Sequence, residues 1–238
     1  MSETTERFVR VFEDLKAEIN KRAGRTGSHS FEISEAAHKD KTVRRQVELL
    51  RYIRDVRNAL QHPKHRTAGH AMTVTPQFLT EVEALVDRLR NPPTATSIGV
   101  ARKNMMTARL TDELGALADE MKRTGFSHLP ILDKDEVLLG VFNEAAIFDY
   151  LWREHEQIIG RSMTVQDVLA HCQLDAGHTE TFRFVLPGTS IDELIDLFRA
   201  VATPMTRVGA VFVTPSGKPE QPVHRLITPW DVLGDGSD

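Results

Sequence analysis

The sequence predicts an all-α N-terminal domain followed by an α/β region made of two related β-α-β-β-α units. Three observations predict it. Apolar residues up to position 93 follow helical spacing, with no strand-like run among them. Beyond position 97, short β-type runs alternate with helical stripes. That second pattern occurs twice: Asp112-Glu113-Leu114 returns as Asp192-Glu193-Leu194, 80 positions later, and the copies end 85 positions apart, at Asn143 and Thr228. The second copy therefore carries about five extra residues, which fit the turn over residues 215–222, rich in strand breakers. A unit that recurs once and closes each time with strand then helix predicts two modules packed face to face. The crevice between them is the natural place for a ligand.

Taken in order, Phe8, Phe12, Leu15 and Ile19 make the first helical stripe, and Gly24 ends it. Val43, Val47, Leu50, Ile53, Val56 and Leu60 make a second, longer one, which stops where Pro63 disfavours helical backbone at His62. Thr75-Pro76 is a helix start, a cap oxygen followed by proline in the first turn. Phe78, Val82, Leu85 and Leu89 give the third stripe, closed by Asn91-Pro92-Pro93. Residues 1–93 form one domain, 92–97 a linker, and 94–238 the duplicated region, with copies over about 98–156 and 161–236.

In the first copy Leu114, Leu117 and Met121 share a helix face, with Gly125 as its stop. Residues 128–132 and 137–142 are short strands around a turn, and a helix follows from about Asn143 to His155. The second copy predicts a strand over 181–185, a helix over 191–201, strands over 209–213 and 224–227, and a helix from Thr228.

An apolar content of 40% supports a packed core, and no segment approaches the roughly 18 continuous apolar residues of a membrane span. The opening residues lack a secretory signal, and the single cysteine, Cys172, excludes an internal disulfide; a cytoplasmic protein is expected. The net charge of −4 hides an asymmetry. Residues 1–93 hold 17 Lys/Arg against 13 Asp/Glu, whereas the remainder holds 13 against 21. Nine basic and three acidic residues lie between Lys39 and Arg66, a field suited either to an anion such as RNA or simply to a solvated helix face.

The order helix, glycine, strand, turn, strand, Ser/Thr-x-x-Asp, helix resembles a tandem pair of cystathionine-β-synthase (CBS) domains, over about residues 98–234. It is carried by Gly125-Phe-Ser-His-Leu-Pro-Ile-Leu with Gly140-Val-Phe in the first copy, and by Leu226-Ile-Thr-Pro-Trp-Asp-Val-Leu in the second. The resemblance implies an adenine nucleotide as regulatory ligand between the modules, with the Thr228 hydroxyl on phosphate and Asp231 on the ribose hydroxyls. The helix start at Thr228 favours phosphate on physical grounds, and a carboxylate accepts two sugar hydroxyls. Thr228 as an ordinary N-cap, with Asp231 stabilising the first turn, fits equally. The first copy departs from the pattern, with Asn143 and Ala146 in place of Ser/Thr and Asp. Arg207 is a further phosphate candidate.

Arg57-Asn-Ala-Leu-Gln-His62 ends the second stripe. It resembles the Arg-x4–6-His motif of HEPN domains, all-α modules that include metal-independent ribonucleases. The resemblance covers about residues 3–93. It implies a homodimer that cleaves RNA by attack of a 2′-hydroxyl, with Arg57, Asn58 and His62 as catalytic residues. His62 would move protons and Arg57 would brace the phosphate oxygens. A second pair at the same spacing, Arg123 and His128, reads as chance, and the plain alternative is a helix-terminal His62 held by the helix dipole, with Arg57 in a surface ion pair of its own. No metal or other cofactor is expected to be required, since His62, His65 and His70 have no carboxylate or thiol at ligand spacing. Cys172 reads as a packing residue, and Trp152 and Trp230 as core or dimer-contact residues.

The sequence thus predicts an adenine-nucleotide-sensing CBS pair that regulates a HEPN-like, RNA-cleaving domain. The competing reading is a non-catalytic nucleotide-binding regulator whose helical domain dimerises or docks a partner.

Overall fold

The computed structural model describes residues 2–27, 29–61, 72–154, 158–174, 180–200 and 206–233. The chain divides into two compact units, Met1–Pro93 and Thr94–Asp238.

The first unit is helical: α1 (Glu3–Ala23), α2 (Ile33–Lys39), α3 (Lys41–Arg45), α4 (Val47–Gln61) and α5 (Pro76–Arg90). The Ser2 hydroxyl accepts from the Thr5 amide at the start of α1, and Gly24 ends the helix at φ 72°. Thr75 caps α5 ahead of Pro76. Phe8, Phe12, Leu15 and Ile19 of α1 bury against Leu50, Ile53 and Leu60 of α4 and Leu79, Val82 and Leu89 of α5. Such apolar burial is the main favourable term of the fold. The stripe that begins at Val43 is two helices rather than one. Asp40 caps α3 through the Val43 amide, and Arg44 donates back to the carbonyls of Ala37 and His38. That anchoring folds α3 onto α2, and the chain turns at Gln46 before α4 begins. Helix α2 has no counterpart among the sequence-predicted stripes.

The second unit is α/β. Its first copy holds α6 (Leu114–Thr124), β2 (His128–Leu132), β3 (Leu138–Asn143) and α7 (Glu144–Arg153). Its second copy holds β4 (Glu180–Val185), α9 (Ile191–Arg199), β5 (Arg207–Val213), β6 (Arg225–Ile227) and α10 (Pro229–Leu233). A short β1 (Val100–Ala101) precedes the copies, and α8 (Leu169–Cys172) lies between them. In the second copy β4 pairs parallel with β5, and β5 antiparallel with β6. The first copy repeats that order in reduced form: Ala108 bridges Ile131 in parallel, and β2 pairs antiparallel with β3. The expected opening strand of the first copy shrinks to this single bridge. Backbone groups next to it are taken elsewhere, Leu110 and Asp112 accepting from Gln166 and Val165, and Leu114 donating to Met163.

Residues 214–224 join β5 to β6 where 133–137 join β2 to β3, so the surplus of the second copy sits in that turn. Residues 94–97, read from sequence as linker, pack within the second unit: Ala95 is fully buried and its amide donates to Thr189.

The two copies share a core. Leu138 and Val141 of β3 lie in one apolar cluster with Phe182, Ala210, Phe212 and Leu226 of the second copy. Val137 also bridges Pro222. The duplicated halves are therefore juxtaposed. Replacing Phe212 by alanine removes a fully buried aromatic side chain from that shared core. Denaturant unfolding is expected to show a loss of about 3–5 kcal/mol; a loss below about 1 kcal/mol would contradict this packing.

Candidate functional site

The seam between the copies opens into a cleft of about 790 Å³, bounded by residues of both. His128 opens β2, Asn143 closes β3, and Glu144, Ala145 and Phe148 follow on α7. From the other side come Glu180 at the start of β4, Arg207 at the start of β5, and Thr228, Pro229 and Trp230 at the start of α10. Strand ends and helix starts converge here because each copy closes with a strand running directly into a helix.

A buried carboxylate organises the floor. Glu180 Oε2 accepts from His128 Nε2 and from Asn143 Nδ2, each at 3.0 Å. Glu180 Oε1 accepts from Arg207 Nε at 2.9 Å and Nη2 at 2.7 Å. Two of these donors belong to the first copy and one to the second, so the network stitches the seam. On the other side of the ring, His128 Nδ1 meets the Ser127 hydroxyl at 2.8 Å. The hydrogen bond from His128, aided by Arg207, holds the Glu180 carboxyl at a pKa of about 2 against the opposing pull of burial. A side chain at Gly209 would crowd this group, its Cβ falling 2.8 Å from Glu180 Oε2.

Thr228 and Arg207 both line the cleft. Arg207 is largely exposed, yet two of its nitrogens are spent on Glu180 rather than left for a ligand. The Thr228 amide and hydroxyl both donate to Asp231 Oδ2, at 2.7 and 2.8 Å. Asp231 thus caps the first turn of α10, the ordinary role that its spacing also allows. In the first copy Asn143 Oδ1 caps α7 through the Ala146 amide at 2.8 Å while its amide nitrogen reaches Glu180. Trp152 and Trp230 are not core residues, with exposures of 68% and 81%. A second, mainly apolar cavity of about 570 Å³ lies on the first copy between Met121, Phe126, Phe142 and Ile147.

Sequence reasoning missed Glu180 and His128. His128 surfaced as a strand and motif residue and in a chance Arg-x4-His pair, never as a site residue, and its bond to Glu180 spans 52 positions. An acidic residue at the opening of a strand was the one available signal for Glu180.

In the helical unit, Arg57 and Asn58 touch: Arg57 Nη1 donates to Asn58 Oδ1 at 3.3 Å. The Arg57 guanidinium also sits 5.3 Å from the Phe12 ring centroid and 3.5 Å from Glu13, both on α1. It is partly engaged in packing. His62, like His65 and His70, lies outside the described residues. Cys172 is buried, and burial pushes its thiol up to about 12, which makes it inert as a nucleophile. No helix among the described residues is long and apolar enough to cross a membrane.

Residues 97–153, which span the first copy, match the model of the CBS domain family. No curated protein matches the chain. Among solved structures, the chain is similar to CBSX2 in complex with AMP, at 15% identity over 59% of this chain and 93% of that one, with a TM-score of 0.42. It is also similar to the CBS domains of a transcriptional regulator from Streptococcus pneumoniae, at 17% identity over 60% and 98%, with a TM-score of 0.41. A hemolysin-like CBS protein of Oenococcus oeni PSU gives 13% identity over 62% and 93%, and a TM-score of 0.42.

The Glu180 network carries a signed pH dependence. Its carboxyl titrates near 2 in the fold and near 4.3 when unfolded, so its stabilisation is complete above about pH 5 and fades as pH falls toward 2. Thermal unfolding of the wild type and of Glu180→Gln should therefore differ most near neutrality and converge in acid. A gap that stays constant down to pH 2.5 would contradict this ionisation.

Proposed function

We propose that this protein is a nucleotide-sensing regulator in which an adenine nucleotide binds the cleft between the two copies. The observation that carries the reading is the cleft itself. It has the volume of a small-molecule site and lies where duplicated modules meet. The CBS match over residues 97–153 supports the same class of ligand. Thr228, Asp231 and Arg207 are the proposed contacts, Thr228 and Arg207 from the cleft wall and Asp231 through its bond to Thr228. Regulation requires that the ligand favour one conformation of the chain over another. A homodimer belongs to this proposal, and the exposed Phe148, Leu151 and Trp152 on α7 offer it apolar surface.

The regulated element, in the finer form of the proposal, is the helical domain acting as a HEPN-like, metal-independent ribonuclease through Arg57, Asn58 and His62. RNA would be met by the basic stretch between Lys39 and Arg66. The packing of Arg57 against Phe12 and Glu13 favours the second reading, in which this domain binds a partner without catalysis.

Saturating AMP is expected to raise the melting temperature, a ligand at 100 times its Kd adding about 2.7 kcal/mol. Asp231→Ala should lose that shift, whereas Asp231→Asn, which retains a capping acceptor, should keep the fold and weaken binding. No shift with any adenine nucleotide would reject the sensor. For the catalytic form, metal-free incubation with RNA should give cleavage that His62→Ala reduces on the order of 100-fold or more; equal cleavage, or none, leaves the non-catalytic regulator.

A further inference from the structure

The mainly apolar cavity on the first copy, about 570 Å³ in volume, lies beside the cleft and shares Ser127, Asn143 and Glu144 with it. Its size falls in the range of small-molecule sites. Helix α6 supplies Ala118, Met121 and Lys122, and α7 supplies Glu144 and Ile147. Phe126, just after α6, and Phe142 of β3 complete the apolar lining. Phe142 is buried, while Met121 and Ile147 are half-buried against the core of the first copy. An apolar group seated here removes that lining from water.

Two opposite charges stand on this lining. Their neighbours on the same helices are already paired: Arg123 with Glu120 and Asp119 with Arg161 on α6, and Arg153 with Asp149 on α7. Lys122 and Glu144 are exposed, and among the described residues neither side chain forms an ion pair or a hydrogen bond. Each ends a long rotatable stem, one in the last turn of α6 and the other in the first turn of α7. A ligand that carries a carboxylate and an ammonium beside a large apolar group meets all three features at once. Lys122 is the donor for the carboxylate and Glu144 the acceptor for the ammonium, both in charge-assisted hydrogen bonds. The Met121 thioether and the two phenylalanine rings favour an aromatic group between them. A polar side chain in that place would lose its water and gain no partner.

We propose that this cavity is a binding site for an α-amino acid with an aromatic or other large apolar side chain. Lys122 and Glu144 hold its two charges, and its side chain enters between Met121, Phe126, Phe142 and Ile147. The site stands apart from the nucleotide reading above, because Ala118 and Lys122 line this cavity and not the cleft between the copies. Glu144 belongs to both walls, so Lys122 is the residue that separates the two sites.

The test is calorimetric titration of the intact chain with L-phenylalanine, phenethylamine, phenylpropionate and L-aspartate. Phenylalanine is expected to bind, each analogue lacking one charge to bind on the order of tenfold more weakly, and aspartate not to bind. Lys122→Gln should weaken phenylalanine by a similar factor and leave phenethylamine, which has no carboxylate, unchanged. Ala118→Trp, at an exposed position on the α6 wall, should block all three phenyl ligands. No binding of phenylalanine overturns the inference, as does equal binding of the three phenyl ligands. A Lys122→Gln variant that binds phenylalanine like the wild type overturns it too. Sedimentation in which Ala118→Trp breaks up an oligomer, with phenylalanine unbound, would make this a face between copies and also overturn it. None of these results touches the nucleotide reading, whose own test rests on AMP and Asp231.

Discussion

The Glu180 carboxylate is the constraint on which the α/β unit depends. An ionised carboxylate under a protein surface is tolerated only when donors replace the water it has lost. Here the donors are His128, Asn143 and Arg207, drawn from both copies. Each has a fixed place, His128 at the start of β2, Asn143 at the end of β3 and Arg207 at the start of β5. Satisfying one charge therefore fixes the spacing of two modules. The apolar core that β3 shares with β4, β5 and β6 supplies adhesion but little registry. The polar network supplies the registry.

The same economy shapes the cleft above it. Bonds that hold the seam occupy two nitrogens of Arg207, and the caps occupy the Thr228 and Ala146 amides. What remains is a wall with exposed aromatic faces and an exposed carboxylate. A site is defined by unspent capacity as well as by the residues it contains.

Most of the α/β architecture was legible in the sequence because it rests on local signals. Gly125 stops α6 in left-handed backbone, the surplus residues of the second copy fall in the turn after β5, and the strand over 181–185 appears as β4. In the helical unit the stripes at Phe8 and Phe78 and the caps at Gly24 and Thr75 are likewise local. The break at Gln46 was not legible, because it depends on Arg44 reaching back to α2 rather than on any helix breaker. Nor was the network: His128 and Glu180 are brought together only by the meeting of the copies. Thr228 and Asp231 could be paired by spacing, but spacing alone could not tell a ligand contact from the cap that the structure forms.

The most direct measurement is a crystal structure of the protein grown with AMP. The account predicts density in the cleft between the copies, beside Thr228 and Arg207, with the Glu180 network still joining the two halves. Ligand density confined to another surface, or a cleft closed by collapse of the seam around a disengaged Glu180, would contradict it.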